Sequence, residues 1–198
     1  MPDQTREPPR GRGRVASKAV PRPMLLLDVD GVLNPYAAVS CPAGFGEYAF
    51  FPAEEPVRLC EGHGSWLADL GGAFELIWAT GWGVNANRLL APFLGLAQLP
   101  VVQFPPAPFR PEDKVPAIAD FADGRPAVWI DDMLTPEAYA WADRRDEPTL
   151  LIASDPAEGL TRSMVDEALS WAATLDAGPV RPRRRLTLHR HLRRLRAR

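Results

Sequence analysis

The chain has 198 residues, of which 46% are hydrophobic, and this length and composition predict one domain with a substantial core. No apolar run reaches the roughly 20 residues that a membrane-spanning helix needs, and the first residues lack the apolar stretch of a secretory signal. We therefore expect no membrane span and a cytoplasmic location. There, Cys41 and Cys60 would be reduced thiols without a metal role.

Charge is distributed unevenly along the chain. Segments 1–23 and 181–198 carry net charges of +4 and +9, whereas residues 24–180 carry −15. We expect a basic, proline-rich disordered tail over 1–23, a folded domain over 24–178 and an arginine-rich tail from 179 onward. The acidic body is a poor partner for nucleic acid, because phosphate affinity depends on clustered cations. The C-terminal tail could contact RNA or an anionic membrane surface, or both tails could be solvated extensions.

Short apolar segments bounded by Gly, Pro or Asp predict the strands. Five are continuous and typical of strands buried on both faces of a sheet: 24–29, 74–79, 99–104, 127–131 and 149–154. Helical patterns lie between and after them, at 83–94, 111–122, 135–145 and 159–175. This alternation predicts an α/β protein with βαβ units and a parallel, doubly wound sheet.

Ligands of such sheets bind beyond the carboxyl ends of the strands. The polar residues at those ends, or at the helix start that follows, are Asp28, Asp30, Thr80, Gly81, Lys114, Asp131 and Asp132. Each pattern alone is weak, since Asp-x-Asp also occurs in sugar-transferase metal sites and Thr-Gly is commonly a turn. Their order along the chain, at successive strand ends, predicts one common site.

The residue types at this site favour phosphoryl transfer. Four carboxylates supply the hard oxygen ligands that Mg²⁺ prefers: Asp28, Asp30, Asp131 and Asp132. A carboxylate can also attack phosphorus and form an aspartyl-phosphate, which water then cleaves. Asp30 would protonate the leaving oxygen and then activate that water. Thr80, Gly81 and Lys114 would bind the phosphoryl oxygens, because a hydroxyl, a backbone N–H and a cation all favour an anion.

These segments resemble a known family. LLLDVDGVLN, IWATGW, Lys114 and VWIDD are similar, in order and spacing, to the four motifs of the haloacid dehalogenase-like (HAD) superfamily, over about residues 24–176. More narrowly, WATGW, VWIDD and TLLIASDPAEGLT resemble small bacterial HAD domains, among them a group associated with RNA-repair proteins. The resemblance implies a Rossmann-like, three-layer α/β/α fold with strand order 5-4-1-2-3, and a magnesium-dependent phosphatase.

The resemblance also implies a role for each motif residue. Asp28 matches the nucleophile, whose carboxylate also binds magnesium, and Asp30 matches the general acid/base, whose backbone carbonyl binds the metal. Thr80 matches the phosphate ligand of the second motif, and Lys114 matches the lysine that steadies the phosphoryl group. The two aspartates of VWIDD match the acidic pair that binds magnesium directly or through water.

Substrate choice depends on what covers the site. Only 49 residues separate Asp30 from Thr80, too few for a full cap domain, so residues 36–60 are expected to form at most a small flap. An open site would admit a bulky phosphate such as a nucleic-acid end, and a small phosphate ester is equally allowed. A non-catalytic module that binds nucleic acid through the basic tails is the alternative. Candidate substrate contacts, none with a catalytic role, are Asn34, Tyr36, His63, Trp82, Asn85 and Asn87. A lone histidine before a predicted helix, such as His63, is more typical of a helix cap or a surface residue.

Overall fold

The computed structural model describes residues 22–176. Apart from residues 22 and 23, the two predicted tails lie outside this range, and so does the expected RNA contact of the C-terminal tail. Within residues 22–176, none of the helices is both long and apolar enough to cross a membrane.

A parallel sheet forms the centre of the domain. The strands of the described chain are β1 (Met24–Leu27), β2 (Gly46–Tyr48), β3 (Val57–Leu59), β4 (Glu75–Trp78), β5 (Ala127–Asp131) and β6 (Thr149–Ala153). Four of them form a parallel sheet in the order β4-β1-β5-β6, and β2 and β3 form an antiparallel hairpin. The predicted α/β class with a parallel sheet is therefore confirmed.

Helices pack on both faces of this sheet. They are α1 (Gly62–Ala73), α2 (Ala91–Phe93), α3 (Lys114–Phe121), α4 (Pro136–Asp143) and α5 (Arg162–Asp176). In β1, Leu25 and Leu27 point into a core with α1 and α5, whereas Met24 and Leu26 point into a second core with α3 and α4. Because β1 is buried on both faces, its sequence is continuously apolar rather than alternating.

The strand predicted over 99–104 is wrong in extent. Only Val101 pairs with β4, through an isolated parallel bridge to Trp78. Pro105 and Pro106 follow closely, and proline has no N–H with which to extend the ladder. The sheet therefore has four strands in the described range, and the five-stranded order 5-4-1-2-3 is not confirmed.

The helix predicted over 83–94 is shorter than expected and begins with a π-helical turn. A π-helical turn, Ala86–Leu90, precedes α2, and the Ala91 N–H donates to the Ala86 carbonyl. Pro92 has no N–H, so the carbonyl of Arg88 lacks its usual α-helical donor. Loss of that donor accounts for the wider turn at this point.

The segment 36–60, expected to form a flap, contains the β2–β3 hairpin. Aromatic side chains of this segment face the loop that follows β4. The rings of Phe50 and Phe51 meet the Trp82 ring edge-on, with centroids 6.2 Å and 5.1 Å apart. Tyr48 stacks on Phe50 at 5.9 Å. The hairpin is thus attached by aromatic packing to the loop after β4.

His63 lies inside this fold rather than at its surface. The expectation that it caps a helix or faces solvent is wrong, because it lies within α1 and is only 2% exposed. Its ring packs between Phe45 and Trp66, at 5.4 Å and 5.2 Å. Burial lowers the pKa of His63 from 6.5 to about 4, so the imidazole is neutral at pH 7.

This burial predicts a pH-dependent stability. Between pH 6.5 and pH 4 the unfolded chain binds a proton at His63 that the folded chain does not, so stability is lost as the pH falls through this window. Between pH 7 and pH 5 the loss from this residue is about 2 kcal/mol. Urea unfolding of the wild type and His63→Phe at both pH values measures it. The variant should lose less stability on acidification, and an equal loss in both proteins would contradict the assignment.

Candidate functional site

Charged side chains from three parts of the chain meet at the carboxyl end of the parallel sheet. Asp28 follows β1, Asp131 ends β5 and Lys114 begins α3. The Lys114 Nζ donates to Asp28 Oδ2 at 2.5 Å and to Asp131 Oδ2 at 2.7 Å, and all three residues are buried. The structure thus brings together three of the residues that the sequence singles out.

Neighbouring groups fix the orientation of both carboxylates. Asp28 Oδ1 accepts the Val29 N–H at 2.7 Å. Asp131 Oδ1 accepts the Met133 N–H at 2.9 Å, and its Oδ2 accepts the indole N–H of Trp129 at 3.2 Å. Because backbone and buried indole groups supply these bonds, the carboxylates are held before any ligand binds.

Asp132 completes a group of three carboxylates. One oxygen from each of Asp28, Asp131 and Asp132 lies within 4.8 Å of the other two. The Tyr36 hydroxyl donates to Asp132 Oδ2 at 3.1 Å. Gly31 makes the close packing possible: its φ is +73°, and a Cβ there would lie 2.3 Å from the Asp132 carboxyl carbon. Three hard oxygen donors at this spacing fit the chemistry of Mg²⁺.

The site holds more negative charge than Lys114 neutralises. Burial raises the pKa of Asp28 to about 7, and Asp131 adds to the rise while Lys114 opposes it. Burial also raises the pKa of Asp132, with Asp131 again contributing. Burial disfavours the charged form of Lys114, but the carboxylates of Asp28 and Asp131 outweigh it and raise the lysine pKa. A cation added to the three carboxylates would offset this excess of negative charge.

The side chain of Asp30 does not join the three-carboxylate group. Its Oδ1 accepts the Asn34 amide N–H at 2.8 Å, and its Oδ2 accepts the Trp82 indole N–H at 2.8 Å. Asn34 is held in turn, because its Oδ1 accepts the backbone N–H of Arg58 in β3 at 3.0 Å. Asp30 nevertheless lines the same cavity as Asp28, and its role as a general acid/base stays a prediction. A metal contact through its backbone carbonyl stays a prediction.

The two residues after β4 are placed differently from each other. Gly81 lines the cavity. Thr80 is buried, and its Oγ1 accepts the Trp82 backbone N–H at 3.3 Å. The hydroxyl therefore belongs to the turn that begins this loop, and its role as a phosphate ligand stays a prediction.

A cavity of about 440 Å³ opens above Asp28. Its lining combines buried charged groups with apolar side chains: Asp28, Asp30, Tyr36, Gly81, Phe109, Pro111, Lys114, Asp132 and Met133. Asp131 lies beneath this lining and is fully buried. A phosphate ester in the cavity would therefore contact Asp28 and Lys114 rather than Asp131.

Three further candidate residues, Asn85, Asn87 and His63, lie in the fold away from the cavity. Asn87 Oδ1 accepts the Trp78 indole N–H at 3.0 Å and the Leu99 N–H at 2.8 Å, which ties β4 to the segment before the Val101 bridge. Asn85 lies just before the π-helical turn and, like Asn87 and His63, is not among the residues that line the cavity.

Sequence reasoning missed what Asn34, Tyr36 and Trp82 do. Asn34 and Trp82 hold the carboxylate of Asp30, and Tyr36 holds that of Asp132. Their position directly after the first and second motifs was the available signal, but it did not reveal which carboxylate each one binds.

Comparison with known proteins does not assign a family to this chain. No model of a known protein family matches the chain, and no curated protein matches it. Function is therefore inferred from the residues and geometry of the site.

Proposed function

We propose that this chain is a magnesium-dependent phosphatase of the HAD-like type, which hydrolyses phosphate monoesters through an aspartyl-phosphate on Asp28. The observation that supports this most directly is the contact of Lys114 with both Asp28 and Asp131, at the sheet edge where α/β proteins bind ligands. The strand order β6-β5-β1-β4 also supports it, because Val101 pairs next to β4 in the place of the remaining strand of the HAD order.

Two transfers complete the proposed reaction. In the first, a carboxylate oxygen of Asp28 bonds to phosphorus while the bond from phosphorus to the leaving oxygen breaks, and Asp30 gives that oxygen its proton. In the second, Asp30 takes a proton from water, the water oxygen bonds to phosphorus, and Asp28 is released with inorganic phosphate. Lys114 keeps Asp28 oriented and carries positive charge where the phosphoryl oxygens gather.

The three-carboxylate group is the proposed magnesium site. Asp28, Asp131 and Asp132 would hold the ion, as the donor set and the excess negative charge indicate. Bound Mg²⁺ would withdraw charge from the phosphoryl oxygens and allow an anionic ester to approach Asp28. Tyr36 orients Asp132 through its hydroxyl, so it acts on the site as a positioning residue.

Replacing the nucleophile tests the proposal. Asp28→Asn removes the attacking carboxylate but keeps an oxygen that can accept from Lys114, so the fold should persist. Hydrolysis of a panel of phosphate esters with Mg²⁺ should fall at least 1,000-fold, an order of magnitude typical of lost covalent catalysts. Asp120→Asn, the same change at an exposed position of α3, is the matched control.

Wild-type-like turnover in Asp28→Asn would contradict the mechanism. Chelation of divalent metal should stop the wild-type reaction, and added Mg²⁺ should restore it. If the wild type hydrolyses no ester in the panel and binds RNA only while its tails are present, the non-catalytic alternative is favoured.

A second prediction concerns Trp82 and the proton of Asp30. Trp82→Phe keeps an aromatic ring against Phe50 and Phe51 but loses the indole N–H that holds Asp30. The kcat/KM for an alkyl phosphate, which reports only the first transfer, should fall by roughly 100-fold, because the alkoxide must be protonated to leave. The kcat/KM for 2,4-dinitrophenyl phosphate should change little, because its phenolate leaves without a proton.

The ratio of the two rates separates positioning from simple damage to the fold. Trp171→Phe, which alters a tryptophan packed on Phe74 and absent from the cavity lining, should leave the ratio as in the wild type. An equal loss on both substrates in Trp82→Phe would argue against a positioning role.

A further inference from the structure

The cavity above Asp28 has an apolar rim. Around the charged floor of the cavity, where Asp28 and Lys114 lie, this rim consists of Tyr36, Phe109, Pro111 and Met133. Tyr36 is 52% exposed and Met133 is 49% exposed, so two of the five exposed large hydrophobic residues in the described chain lie at this one opening. Exposed apolar side chains gathered at the opening of a cavity are typical of a ligand contact.

The two aromatic rings of the rim are held in place without a ligand. The Tyr36 hydroxyl donates to Asp132, which fixes the phenol ring at the opening. Phe109 packs against Phe104 with centroids 5.6 Å apart and lies over Gly81, where a Cβ would be 3.5 Å from the Phe109 Cζ. Because the rings are already ordered, a flat apolar ligand would lose little free energy to side-chain ordering when it binds.

The charges around the cavity favour a ligand with a single phosphoryl group. Among the residues that line it, Lys114 is the one cation, and two carboxylates already contact it. Arg110, the next cation along the chain, is paired with Glu112 and Asp113, each at 3.1 Å. A second phosphate would meet carboxylates rather than a free cation.

We infer that the site selects phosphate monoesters whose leaving group is a flat apolar ring, such as aryl phosphates, over sugar phosphates and nucleic-acid ends. The phosphoryl group lies against Lys114 and Gly81, a placement that rests on the proposed function. The ring of the leaving group lies at the rim with Tyr36, Phe109 and Met133. A volume of about 440 Å³ has room for a phosphoryl group and one or two rings.

Binding of non-hydrolysable phosphonates tests the inference separately from turnover. Calorimetry on the full chain with Mg²⁺ compares benzylphosphonate with ethylphosphonate, which share the phosphonate group and differ in the ring. Benzylphosphonate should bind about tenfold more tightly, as one ordered aromatic contact would give. Selective binding of benzylphosphonate without any ester hydrolysis would sustain this inference and overturn the proposed function. Ester hydrolysis with equal affinities for the two phosphonates would overturn this inference and leave the proposed function standing.

Variants of the rim assign the selectivity to its residues. Phe109→Ala and Tyr36→Ala should each reduce the benzyl-to-ethyl affinity ratio to about threefold or less, because each removes one ring of the rim. Tyr139→Ala is the matched control, since Tyr139 is 47% exposed on α4 and absent from the cavity lining. A ratio unchanged in both alanine variants would overturn the inference.

A competition experiment tests the exclusion of nucleic-acid ends. A 5′-phosphorylated oligonucleotide and its unphosphorylated counterpart are each added to the benzylphosphonate complex at fixed salt, so that contacts made by the basic tails act on both equally. The two should displace benzylphosphonate to the same small extent. Stronger displacement by the phosphorylated strand would overturn the selectivity for a single phosphoryl group.

Discussion

The buried ammonium group of Lys114 is the interaction on which the candidate site depends. It joins the helix that begins at Lys114 to the ends of two neighbouring strands, through Asp28 and Asp131. The register of the sheet makes the meeting possible, because Leu27 pairs with Ile130 and the next residue of each strand is an aspartate. Truncating one member of such a group, with no polar atom left in its place, would leave buried charge unpaired at a cost of about 3–5 kcal/mol.

The same arrangement leaves negative charge that Lys114 does not neutralise. One ammonium faces three carboxylates, and Gly31 allows the third, Asp132, to come close where any other residue would collide with it. A stable fold does not require this excess of negative charge, whereas a site for a divalent cation does. The β2–β3 hairpin contributes as well: through Asn34 and Trp82 it keeps the Asp30 carboxylate apart from the other three and beside the cavity.

Much of this could be predicted from the sequence, for an identifiable reason. Parallel strands end at a common edge, so the residues after apolar runs are expected to be close in space even when they are far apart in the chain. Asp28, Lys114 and Asp131 meet as that rule implies. Apolar content alone, however, does not reveal whether a backbone ladder forms, and so the sequence predicts a strand over 99–104 although prolines limit it to one bridge.

The contacts that the sequence did not reveal depend on loop conformation. Trp82 and Asp30 are 52 positions apart, and their hydrogen bond exists because two loops take particular paths beside the hairpin. A lone histidine before a helix is typical of a surface or capping residue, yet aromatic packing within the fold buries His63. Neither position carries a periodic pattern from which such a contact could be read.

The most direct test of the central claim is a crystal structure of the full chain soaked with Mg²⁺ and beryllium fluoride, which imitates a phosphoryl group on a carboxylate. We expect beryllium bonded to a carboxylate oxygen of Asp28, with Lys114 against its fluorides. We expect magnesium bound by Asp28 and at least one of Asp131 and Asp132. A structure in which beryllium fluoride is absent from Asp28, or in which magnesium binds away from these carboxylates, would contradict the assignment of Asp28 as a phosphoryl-accepting nucleophile.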